Sequence, residues 1–189
     1  MNGYAADEAT IETSEGAIAQ FMVDFVERSG AEAVHIIAHS MGNRAVLRAV
    51  NRIAAKAERH TGKHFGQIIL AAADIDVDLF RELCGAYDRV ARRTTLYIST
   101  RDRAIEASQW LHTYPRVGLT PPVVIVPGID TINVANIDVT LLGHGYVANA
   151  RDVLKDIHDL IARDLPPRSR FGLRGAFHEK GEPYWIIGA

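Results

Sequence analysis

Ser40, Asp102 and His144 are the residues of this chain whose types and order could carry nucleophilic chemistry at a carbonyl. A neutral hydroxyl attacks poorly, so a serine needs a histidine to take its proton and a carboxylate to hold that histidine in the right tautomer. Ser40 stands in VHIIAHSMGNR, where an apolar run meets something helical. In a strand–serine–helix corner the serine sits in a sharp turn that lifts its hydroxyl clear of the sheet, and the residues two before and two after it are expected to be small. Ala38 and Gly42 fit, although the first position more usually carries glycine. The same turn would aim the Met41 N–H toward the space above the hydroxyl, where an oxyanion could form. The competing reading is a serine that only caps a helix.

Each of these residues depends on an element that ends beside it. Ile18, Phe21, Met22, Phe25 and Val26 recur at helical spacing, with Gly30 as a stop. Val34 to Ala38 is a short, nearly all-apolar run, as expected of a strand buried on both faces. Val46, Leu47, Val50 and Ile53 repeat helically between Met41 and about Lys56. Gln67 to Ala73 predicts a second strand, and Leu79, Phe80, Leu83, Tyr87 and Val90 trace a helix that Asp78 could cap. Thr94 to Thr100 predicts a third strand and Ile129 to Val134 a weaker fourth. Val153, Leu154, Ile157, Leu160 and Ile161 mark a last helix from about Val147 to Ala162, closed by Pro166-Pro167. Strands alternating with helices imply an α/β fold: a parallel sheet flanked by helices in three layers. Residues 1–165 read as a single domain, and residues 166–189 as a tail that Tyr184 to Ile187 pins to it.

Asp102 lies two residues beyond the third predicted strand, on the sheet edge where Ser40 ends the first and where open α/β sheets place their sites. A salt bridge to Arg101 or Arg103 is its plain alternative. His144 sits in Leu142-Gly143-His144-Gly145-Tyr146, between the last strand and the last helix, with a glycine on each side to let the ring turn inward; a turn histidine is the plain alternative. Asp74, which opens the acid-rich stretch Asp74, Asp76 and Asp78, also follows a strand and is the alternative acid. That stretch lacks the glycine and terminal glutamate of a calcium loop. His60 and His64 are interrupted by Gly62, so no helix-borne zinc site is expected and no metal is assigned. His39 and Trp110 are expected to shape the substrate pocket.

Of the 189 residues 48% are hydrophobic and the formal net charge is −2, with basic residues scattered, so neither a nucleic-acid footprint nor a membrane span is expected. Cys84, the single cysteine, excludes an internal disulfide and reads as a core thiol. The first residues have no secretory pattern, so a cytoplasmic location is expected.

AHSMGNR, AAADID, STRDRA and LLGHGY together resemble the α/β-hydrolase superfamily, most closely a bacterial esterase/lipase-like group known as domain of unknown function 900, over roughly Gly3 to Ala162. The resemblance implies a serine hydrolase with Ser40 as nucleophile, Asp102 as acid and His144 as base, acting on a small-molecule ester or related acyl substrate without a cofactor. Members of the superfamily carry strands before the nucleophile and a loop that gives a second oxyanion donor. These have no counterpart here, so the chain is expected to be N-terminally truncated, the C-terminal part of the fold. The strand at Val34 would then be an open edge able to pair with another copy of the chain. Two alternatives stay open: a catalytically impaired remnant or dimerising module, and an acyltransferase or peptidase on the same scaffold.

Overall fold

The computed structural model describes residues 2–56, 64–99, 114–135 and 151–188, with side chains from residue 13 onward. Helix α1 (Asn2–Arg28) leads to β1 (Ile36–His39), α2 (Gly42–Lys56) and β2 (Phe65–Ala71). Two short helices follow, α3 (Val77–Leu83) and α4 (Gly85–Val90), then β3 (Ala91–Ser99), β4 (Ile129–Val134), α5 (Arg151–Arg163), β5 (Arg174–Phe177) and β6 (Pro183–Ile187).

Among the described residues the strands form one sheet in the order β1-β2-β3-β4-β6-β5, parallel throughout except where β5 runs antiparallel to β6. The pleat sends alternate residues of each strand into different layers. Ile68, Leu70, Leu96 and Ile98 pack with Leu47, Val50, Phe80, Tyr87 and Met22 under α1 to α4. Ile69, Tyr97, Ile132, Val134 and Ile187 pack with Val153 and Leu160 of α5 on the opposite face. The parallel, helix-covered sheet expected from the apolar runs is therefore present. No helix among the described residues is long and apolar enough to cross a membrane.

Several boundaries differ from the sequence reading for local reasons. The first strand begins at Ile36 rather than Val34, because the His35 imidazole intervenes: its Nδ1 accepts the Gln67 N–H at 3.0 Å. Gly66 permits this approach, since a Cβ there would lie 2.7 Å from the His35 ring. The helix expected through Leu79 to Val90 is two helices meeting at Cys84, and its cap is Asp76, not Asp78. The Asp76 carboxylate accepts from the N–H groups of Asp78 and Leu79 at 2.9 and 3.0 Å.

The chain beyond α5 contributes β5 and β6, so residues 174–187 extend the sheet itself. A buried polar cluster fastens the segment that leads into them. Tyr97 donates to Asp156 of α5 at 2.6 Å, and Arg170 reaches the same carboxylate oxygen at 3.3 Å. Burial holds the Asp156 carboxyl above its ordinary value, while Tyr97 and Arg170 pull it back down.

Candidate active site

Strands β1, β2, β3 and β4 are mutually parallel, so their C-terminal ends share one edge of the sheet. Ser40 lies on that edge, one residue past β1, with φ at 50°. A left-handed backbone at a non-glycine residue is strained and persists only where its surroundings over-determine it. Here they do so through hydrogen bonds to both sides of the residue. The Ser40 N–H donates to the Ala71 carbonyl at 3.1 Å, continuing the β1–β2 ladder by one residue. The Ser40 carbonyl accepts from the Asn43 N–H at 3.1 Å, the Asn43 side-chain amide at 2.9 Å and the Asp74 N–H at 3.4 Å.

Arg44 N–H donates to the Met41 carbonyl as α2 begins, whereas the Met41 N–H has no acceptor among the described residues. A backbone donor next to a serine, where a helix begins, suits a developing oxyanion. Ala38 is 5% exposed inside the sheet, as the corner demands. A Cβ on Gly42 would meet no atom of the described residues within 4 Å. His39 is half-buried beside Ser40, and its Nε2 is buried without a hydrogen-bond partner among the described residues.

Asp74 lies past β2 on the same edge, and its carboxylate is held by two arginines. Arg44 Nη2 and Arg116 Nε each approach Asp74 Oδ1 at 3.4 Å, and Arg44 Nε donates to the Asp74 backbone carbonyl at 2.6 Å. All three side chains are largely buried, which makes their mutual pairing a condition of keeping them charged. The cluster ties the first turn of α2, the β2–α3 connection and the segment around Arg116 into one unit. Asp102, Trp110 and His144 lie outside the described residues. The geometry therefore brings together Ser40, Met41, His39 and Asp74.

Sequence reasoning overlooked Asn43, Arg44 and Arg116. For Asn43 a signal was present: it precedes Leu47 by four residues and Val50 by seven, so it is a polar residue in line with the apolar stripe of α2. It is fully buried. No comparable pattern marked Arg116, whose partner is 42 positions away in the chain (116 − 74).

No curated protein and no solved structure matches the chain. The profile of a family described as alpha/beta hydrolase of unknown function (DUF900) matches residues 1–163, through the last residue of α5 and short of the β5–β6 hairpin. A match over that much of the chain agrees with the sheet and its serine corner, and the chain belongs to this α/β-hydrolase family.

Proposed function

We propose that the protein is a serine hydrolase that cleaves a carboxylic ester or related acyl bond. The observation that carries this reading is the left-handed backbone at Ser40, held at the C-terminal edge of a parallel sheet with the Met41 N–H beside it. The two remaining members follow in chain order: Asp102 comes after β3, and His144 falls between β4 and α5. Strands β3 and β4 both end on the edge that holds Ser40.

In this reading the Ser40 Oγ attacks the acyl carbonyl and His144 takes its proton. The Met41 N–H stabilises the oxyanion, and the proton then passes to the departing alkoxide, leaving an acyl-enzyme. Water, deprotonated by His144, attacks the acyl carbonyl and releases the acid and free Ser40. Asp102 keeps the imidazole oriented and stabilises its charged form.

The test is hydrolysis of a short-chain nitrophenyl ester. Ser40→Ala should abolish turnover without unfolding the protein, and His144→Ala should lower it comparably, because triad members act as a unit. An active Ser40→Ala variant would sink the assignment.

A second reading, a module that pairs with another copy through β1, is favoured by Ile37. This residue lies on β1, the edge strand among the described residues, and is 54% exposed. Light scattering of wild type and Ile37→Lys tests it: a dimer lost in the variant supports pairing, and a monomeric wild type rejects it.

A further inference from the structure

The geometry assigns to Asn43 the role of positioning residue for the nucleophile, an inference that rests on the proposed role of Ser40. Asn43 is fully buried in the first turn of α2. Its side-chain Nδ2 donates at once to the Ser40 carbonyl at 2.9 Å and to the Ala71 carbonyl at 3.0 Å. The Ala71 carbonyl is also the acceptor of the Ser40 N–H. One amide group thus bridges the end of β2 and the carbonyl of the strained residue. It closes a ring that fixes both peptide groups flanking the Ser40 Cα.

The chemistry at this position is specific to a primary amide. Two carbonyl oxygens converge on one point, and only a group with two N–H donors satisfies both. Aspartate offers acceptors there, and leucine offers nothing. The Asn43 Oδ1 is buried without a partner among the described residues, so within them the residue forgoes one hydrogen bond in placing the other two. A residue that merely filled the helix–sheet interface would not need that arrangement, since Leu47 and Val50 fill the same stripe with apolar groups. The left-handed φ of 50° at Ser40 is the conformation that needs outside support, and Asn43 supplies two of the three donors on its carbonyl.

Reaction of Ser40 with a fluorophosphonate, in which Oγ displaces fluoride from phosphorus, separates positioning from stability. The comparison is among the wild type, Asn43→Ala, Asn43→Ser and Ile53→Ala, a core variant on the same helix that is remote from the corner in sequence. Rates are read well below each melting temperature. Asn43→Ala should lower the maximal labelling rate by about 10²-fold, the scale of a misplaced reacting group, with little change in probe affinity. Asn43→Ser, which keeps one donor, should fall between Asn43→Ala and wild type, and Ile53→Ala should label at the wild-type rate. Equal maximal rates in Asn43→Ala and Ile53→Ala would overturn the assignment, as would an Asn43→Ser rate equal to wild type if Asn43→Ala does not fold. Should wild type itself not label, the proposed role of Ser40 fails separately. The positioning claim is then read from hydrogen exchange at residues 40–44: faster exchange in the Asn43 variants than in Ile53→Ala supports it, and equal exchange rejects it.

Discussion

Replacing Asp74 by asparagine removes one negative charge from between two buried guanidiniums and changes little else in shape. The two contacts are both 3.4 Å to Oδ1, with side-chain exposures of 3% for Asp74, 11% for Arg44 and 5% for Arg116. At an effective dielectric constant of about 20, each contact is worth roughly 5 kcal/mol before desolvation is counted. Breaking such a buried pair by removing one partner costs about 3–5 kcal/mol, because the remaining charge is left buried. For a chain of 189 residues that corresponds to a fall in melting temperature of about 6–20 °C. Thermal unfolding by circular dichroism gives the number directly. Fluorophosphonate labelling well below the transition should persist in Asp74→Asn, because the acid role is assigned to Asp102. A melting temperature within about 2 °C of wild type would refute the claim that this carboxylate holds the arginines. If labelling collapsed while stability was unchanged, the acid role would move to Asp74.

Burial, reinforced by Arg92 and opposed by Asp164, holds the His35 imidazole below its ordinary value, in keeping with an Nδ1 that accepts the Gln67 N–H. A depressed pKa contributes stability that is present above the unfolded value of 6.5 and is lost as pH falls through the folded value. The urea midpoint should therefore drop between neutral pH and pH about 5.5, less steeply in His35→Gln, and an equal slope in the variant would remove His35 from the account. Gly42→Ala should be neutral or stabilising by about 0.4–1 kcal/mol, since no atom of the described residues obstructs the added methyl and the unfolded chain loses freedom. Gly66→Ala should destabilise, because its methyl meets the His35 ring. Melting curves of the pair decide both, and the reverse order would contradict the packing described.

What the sequence revealed of the fold followed from burial. The seven residues of β2 are all buried, and the apolar stretch within it announces a central strand. Helices α2 and α5 announced themselves by one apolar stripe each. The hairpin of β5 and β6 was legible only as an anchored tail. Its first strand, Arg174 to Phe177, contains glycine and shows no alternation, and the hairpin joins the sheet through the β6 pairing with the distant β4. The corner at Ser40 was legible because the serine follows a strand and precedes a helix. Its supports were not, because Asn43 and the Arg44–Asp74–Arg116 cluster act through carbonyls and charges brought together from separate turns. The cap shows the same limit on a smaller scale: the sequence pointed to Asp78, and the backbone places the cap at Asp76.

The central claim is that Ser40 is an activated nucleophile, and the most direct measurement is intact mass after incubation with a fluorophosphonate, wild type against Ser40→Ala. The account predicts a single adduct on the folded wild type and none on the variant. A folded wild type that stays unlabelled, or a Ser40→Ala variant that gains the same adduct, would contradict it.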